Sequence, residues 1–223
     1  MLRTLPALLL SWLVAIVLAG CSGSPPAEDS KADIANVLAV KSNFGPEFKV
    51  STVAPTGIDP RLLAPQSLPQ GAIFDPPDCA KVATGLVVPP GLKGNMAATT
   101  AEGDGNRFIA IAVETSEPLQ FPDPGDKCKK VAFAGAGVRG VVEVVESPTI
   151  DGVRTLGTHR VVQTMVNGKP ASGEIYNYVA SFATFMVIVT ANPLVEPNKP
   201  VAPVDTPRAR DLLSAAVTAV RGS

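Results

Sequence analysis

The residue with the most specific chemistry is a cysteine that closes an apolar run. In "LVAIVLAGC" the stretch Leu18-Ala19-Gly20-Cys21 sets an aliphatic residue and two small ones before a thiol. A thiolate there is the nucleophile that takes a diacylglyceryl group in thioether linkage. Small neighbours let a membrane-embedded peptidase reach the bond before Cys21. Upstream lie Arg3 and an uncharged apolar stretch from Leu5 to Leu18. That is the layout of a secretory signal with a lipobox-like end. The stretch is short for a spanning helix, which needs about 20 apolar residues. Two or three acyl chains on Cys21, at about 0.8 kcal/mol per buried CH₂, would hold the chain on a bilayer. An ordinary cleaved signal and an uncleaved anchor are the alternatives.

Two cysteines remain, Cys79 and Cys128. In an exported chain they are expected to form a disulfide rather than stay as free thiols. A metal site has little to build on, with His159 as the lone histidine and no C-x-x-C spacing.

Other candidates weaken when their chemistry is asked for. "GAGVRG" (Gly135, Gly137, Gly140) matches a dinucleotide fingerprint but precedes the apolar strand "VVEVV" instead of following one. A helix N-terminus to receive a pyrophosphate is therefore absent from the pattern, and a tight turn is the better account. Acidic and Gly residues in "EGDGN" lack the spacing of a calcium loop. His159 has no G-x-S-x-G elbow to serve. Glu143 and Glu146 are three apart on an expected strand, so they leave opposite faces and cannot flank one glycosidic bond. Tyr176 and Tyr178 are the only tyrosines and share one strand face. They suggest a binding groove, with His159, Arg160 and Asn177 as nearby polar candidates. No catalytic residue, cofactor or metal is expected.

These residues need elements to hold them. Nine residues after Cys21, "SGSPPAEDS", read as a tether of on the order of 17 Å. Periodicity predicts a helix over 31–43, N-capped by Ser30 with Asp33 in a capping-box position, burying Ile34, Val37, Leu38 and Phe44. Phe48 to Val53 reads as a strand. Six prolines between 55 and 77 deny residues 54–78 a continuous helix, while their apolar residues predict an ordered segment wrapped on the core. Asp78 is expected to cap a short helix carrying Cys79, and residues 124–134 to form another carrying Cys128. A hairpin turns at "EGDGN", between "NMAATTA" and "RFIAIAVET". Strands follow over 138–146, 155–166, 174–180 and 185–191, with Asn167-Gly168 at a hairpin turn. The last helix starts at Thr206 with Pro207 at its first position, buries Leu212, Leu213, Ala216, Val217 and Val220, and ends at Gly222. The expected class is α+β: one domain with an antiparallel sheet of about five to six strands packed with N- and C-terminal helices.

The stretches "VKSNFGPEFKV", "PTGIDPRLLAP", "CAKVATG" and "VIVTANP", behind the lipobox, resemble a mycobacterial family, the LprH-like envelope lipoproteins. The resemblance covers the mature chain and implies no catalytic activity. More loosely, the expected architecture is similar to the extracellular sensor domain of mycobacterial serine/threonine kinase H, although here there is no kinase domain and one candidate disulfide instead of two.

The expected organisation is a signal peptide (1–20), a lipidated tether (21–29) and an α+β domain (30–223) on the outer face of the cytoplasmic membrane. The 19 Lys and Arg, of which Arg3 leaves with the signal, face 20 Asp and Glu, so no basic stripe invites nucleic acid. The leading expectation is a non-enzymatic, sensor-like module. It would meet the bilayer through acylated Cys21 and an envelope small molecule, lipid or membrane protein through its domain. The alternatives are a lipid or glycolipid carrier, since 46% of residues are apolar but only 5% aromatic, and an envelope hydrolase built on His159.

Overall fold

The structure is a computed structural model that describes residues 31–58, 68, 71–85, 89, 91–119, 121–197 and 199–222. The signal, Cys21, the tether, Ser30 and residues 60, 62, 63, 65 and 69 of the proline-rich segment lie outside the described residues.

Nine strands form one antiparallel sheet: β1 (Lys49–Gly57), β2 (Ile73–Asp75), β3 (Gly94–Gly103), β4 (Asn106–Thr115), β5 (Lys130–Gly135), β6 (Val138–Val145), β7 (Arg154–Val166), β8 (Lys169–Phe182) and β9 (Phe185–Pro193). Their order is β1-β3-β4-β9-β8-β7-β6-β5-β2. A 3₁₀ helix (Ile34–Asn43) opens the fold, a 3₁₀ turn (Pro77–Cys79) leads into α1 (Ala80–Thr84), and α2 (Thr206–Arg221) closes it. The class is α+β, as expected, with more strands than the sequence suggested.

The sheet buries both faces by different means. Over β3, β4, β8 and β9, alanines 97, 101, 110, 112, 180 and 191 are fully buried. Their small side chains let α2 and the N-terminal 3₁₀ helix approach the sheet closely, filling the gap with Leu212, Leu213, Val217, Ile34 and Val37. The Asp33 N–H donates to the Val220 carbonyl at 2.8 Å and ties the two helices together. On the opposite face, Met96, Ile111, Val113, Met186 and Ile188 pack under Leu119 and Phe121. Further along that face, Val131, Phe133 and Val142 pack under α1 through Cys79, Val82 and Ala83.

Several local expectations need correction. The N-terminal helix is 3₁₀, and its buried residues are Ile34, Val37 and Val40. Burial every third residue is what three residues per turn requires. Leu38 and Phe44, expected inside, are only partly buried. Asp33 is itself the cap, accepting from the Ala35 N–H at 2.8 Å. Asp78 caps nothing: Cys79 holds the N-cap position of α1 without a side-chain bond. Residues 130–134 are strand, not helix, because Val131 and Phe133 alternate inward with period two. Only a single turn, with the Cys128 N–H donating to the Pro124 carbonyl at 3.1 Å, precedes them. The cap of α2 is Asp205, one residue before Thr206, and accepts from the Arg208 N–H at 3.0 Å. The expected buried stripe of α2 is buried, joined by Ala209, and Gly222 ends the helix in the left-handed region.

"EGDGN" and "VNGK" are hairpin turns with both central residues at positive φ, at Asp104-Gly105 and Asn167-Gly168. The same conformation at Ala136-Gly137 makes "GAGVRG" the β5–β6 turn.

Candidate functional site

The sulfurs of Cys79 and Cys128 are bonded, with Cα atoms 5.4 Å apart and a sequence separation of 49. The bridge pins the start of α1 to the segment that enters β5. Beside it, Lys127 and Asp78 form an exposed ion pair at 2.6 Å. The ammonium group holds the Asp78 carboxyl below its usual range.

The far end of α1 is held differently. The last carbonyls of a helix have no intrahelical partner. Arg160 on β7 donates through Nη2 to one of them, the carbonyl of Ala83. Its side chain comes from beneath, and the residue is only 4% exposed. Burial lowers the pKa of this guanidinium from its ordinary value. A buried cation of this kind is expensive unless polar groups surround it. So α1 is a roof fastened covalently at its start and by a charged hydrogen bond at its end.

Under this roof the strand registers build a cleft. Val142 on β6 is the register partner of Arg160. Thr158 is paired with Asn177, and Leu156 with Val179, while Val179 is paired with Ile188. Strand alternation sends all of these to the same face. Val82 from α1 and Gly85 at its C-cap, with Phe121 and Pro122 from the loop before β5, complete the lining, and the space is about 50 Å³. Arg154, on the same face of β7, stacks its guanidinium 4.6 Å from the Phe121 ring centre and holds that wall in place. Asn177 is 7% exposed, and its Oδ1 has no hydrogen-bond partner among the described residues. The cleft is therefore apolar on its walls, with a cation and a carbonyl acceptor in its lining.

The other sequence candidates lie on the opposite face. His159 is the register partner of Glu143 on β6 and of Tyr176 on β8. The His159 and Tyr176 rings stack with centres 4.1 Å apart and planes 8° from parallel. His159 Nε2 donates to Glu174 at 2.8 Å, and Lys130 donates to Glu143 at 2.6 Å. Lys130 holds the Glu143 carboxyl down, with desolvation opposing and His159 helping. Burial, then the two carboxylates, push the Tyr176 phenol up. Tyr178, two residues on, is buried beneath α2, with its ring over Gly157 of β7. A Cβ at residue 157 would sit 3.1 Å from that ring and 2.9 Å from the Val145 carbonyl.

The five candidates thus divide. Arg160 and Asn177 share the cleft, His159 and Tyr176 share the opposite face, and Tyr178 is core. Sequence reading missed Val82, Phe121 and Thr158. Thr158 was within reach, because strand alternation puts it beside Arg160; the walls from α1 and the loop have no local signal. His159 has an orienting acid in Glu174, but among the described residues no serine, threonine or cysteine is hydrogen-bonded to it. A larger, open groove of about 610 Å³ lies between the ends of the β5–β6 and β7–β8 hairpins. None of its lining residues is buried, so it offers little to hold a ligand.

A family model described as a domain of unknown function, DUF5642, matches residues 33–221. The chain belongs to the DUF5642 family. The X-ray structure of an uncharacterised Mycobacterium smegmatis protein, the Rv0999 ortholog, is 68% identical, with a TM-score of 0.82 over 86% of this chain and 98% of that one. The DUF5642 architecture described above is thus similar to one seen by crystallography. The extracellular domain of PknH from Mycobacterium tuberculosis is 14% identical, with a TM-score of 0.36 over 90% of this chain and 99% of that one. No curated protein matches the chain.

Proposed function

We propose that this DUF5642 protein is a non-enzymatic binding module of the cell envelope, held at the outer face of the cytoplasmic membrane by acylated Cys21. Its ligand enters the cleft under α1. The observation that carries the reading is Asn177 Oδ1, a buried acceptor without a partner, in the same small apolar cleft as the buried Arg160. Proteins leave few such groups unsatisfied, and a bound molecule is one way to satisfy this one. The lipobox-like "LAGC" and the resemblance to LprH-like lipoproteins support the anchor.

The carrier alternative asks for a continuous apolar cavity. The cleft's 50 Å³ is about a third of the roughly 150 Å³ cavity that admits benzene. It has room for a few heavy atoms and none for an acyl chain.

Two experiments test the reading. In an actinobacterial host, the wild-type chain is expected in the membrane fraction and a Cys21→Ser variant in the soluble fraction; equal partition would remove the anchor. Thermal denaturation of the full chain against polar and lipid fractions of envelope extract tests the cleft. One fraction should raise Tm by mass action. Val82→Phe, which fills the cleft from the roof, should abolish the rise.

A further inference from the structure

The outer edges of the sheet are guarded. β1 carries Pro55 and a register shift between Val53 and Thr56, and β2 is only three residues long. A further open edge lies inside the strand order. β8 pairs with β7 from Lys169 onward but with β9 only from Tyr176. The Val166–Lys169 pair closes a two-residue turn, so odd residues of β8 bond to β7 and even ones to the other side. Tyr176, Tyr178 and Ala180 meet β9 there. In the same register Pro193 comes opposite Glu174 and has no N–H to give, and the Leu194 N–H turns away to the Gly105 carbonyl at 2.8 Å. The carbonyls of Pro170, Ser172 and Glu174 and the Ser172 N–H therefore face no strand among the described residues.

We propose that this edge, residues 170–174, takes up an extended segment of another protein as an added antiparallel strand, with a lysine or arginine facing Glu174. The open carbonyls recur every second residue, about 6.8 Å apart, and an extended main chain offers N–H groups at that repeat. On one side the incoming strand meets Glu174, whose carboxylate is bonded to His159 at 2.8 Å and is still 34% exposed. A cation opposite it is the favourable cross-strand pair. On the other side lie Ala171 and Gly173, and nothing stands within 4 Å of a Cβ placed on Gly173. Bulky side chains of the incoming strand fit there. The chain's own tether does not reach this edge. Lys31 packs against Gly222, and Arg221 lies over the Phe182 ring at the far end of β8. From Phe182 to Pro170 the strand runs about 40 Å, against on the order of 17 Å for the tether. A second copy, related by a two-fold at Ser172, would set Pro170 against Glu174 and leave the Glu174 carbonyl without a donor.

The test is a ¹H–¹⁵N NMR titration of the full, disulfide-bonded chain in detergent with three synthetic peptides: acetyl-KVTVT-amide, acetyl-EVTVT-amide, and the first one N-methylated at its lysine and central threonine. The lysine peptide is expected to shift the backbone amides of Ser172, Gly173 and Glu174 and to bind at least tenfold tighter than the glutamate peptide. The N-methylated peptide should leave them unmoved. Ser172→Pro, which removes the outward N–H and spares the bonds to β7, should abolish binding. Glu174→Gln should erase the preference for lysine, and it keeps the test intact should the proline variant misfold. Val82→Phe should change nothing here, so the cleft and this edge stand or fall separately. Shifts confined to β1, equal binding of the N-methylated peptide, or no shift at residues 172–174 overturns the proposal. Shifts of these amides with protein concentration alone would assign the edge to a second copy and overturn it too.

Discussion

Arg160 and Asn177 stand diagonally across β7 and β8 on the face that lies under α1, both buried and both lining one cleft. One is a cation and the other a carbonyl acceptor without a partner among the described residues. A folded core alone has no use for that acceptor, and the proposed ligand would supply its donor.

The first prediction follows from that cost. A buried polar atom left unsatisfied costs about 1–3 kcal/mol. Asn177→Leu, close to isosteric, is therefore expected to leave stability unchanged or raise it by about 1 kcal/mol while it removes binding. Urea denaturation of the unliganded chain checks this. A loss of more than about 2 kcal/mol would mark Asn177 as a structural residue.

The disulfide is expected to act on stability and on the cleft together. Closing a loop of this length is worth about 4 kcal/mol in the chain-entropy model. Cys79→Ser with Cys128→Ser should lower stability by about that amount and free the start of α1. Hydrogen exchange should then speed up in residues 80–84 far more than in β4 or β9. Uniform acceleration across the sheet would contradict the picture of a fastened roof.

The two tyrosines give a pH test. Desolvation is the main cause raising both phenols, aided at Tyr176 by Glu174 and Glu143 and opposed at Tyr178 by Arg210. A raised folded-state pKa means a contribution to stability that is complete below the unfolded value of about 10 and is lost as pH rises through the folded one. Absorbance at the phenolate band should therefore rise above pH 10, with the Tyr178 part appearing together with loss of circular dichroism. Independent titration of both residues near pH 10 in the folded chain would contradict their burial.

Packing supplies a fourth test. The alanines beneath α2 are fully buried, so Ala180→Leu is expected to push the helix off the sheet. A cost of about 1–3 kcal/mol is expected from overpacking. Leu213→Ala, in the same layer and fully buried, should cost about 2–5 kcal/mol by leaving a cavity. Thermal unfolding of the two variants measures both.

Much of this was legible in the sequence, for reasons that differ by element. The β6 to β9 strands announce themselves by β-branched alternation, and the Asp104-Gly105 and Asn167-Gly168 turns by residues that tolerate positive φ. The stripe and the C-terminal glycine of α2 are equally local signals. The N-terminal helix was harder, because apolar residues at 34, 37, 38 and 40 suit both three and 3.6 residues per turn. Only packing against Thr99, which donates to the Val37 carbonyl at 3.2 Å, and against α2 shows which turn length holds. Residues 124–134 misled because Lys and Asp around Cys128 look helical, while the pairing of Lys130 with Glu143 and Val131 with Val142 is long-range information. The site divided for a simple reason. His159 and Arg160 are neighbours in sequence and opposites in space, since adjacent strand residues face apart.

The measurement that tests the central claim most directly is native mass spectrometry of the full chain, purified in detergent from an actinobacterial host beside its Val82→Phe variant. The account predicts a wild-type species carrying a small polar molecule that the variant lacks, at unchanged disulfide mass. Bare protein in both samples, with a Tm that no envelope fraction raises, would contradict a binding role for the cleft under α1.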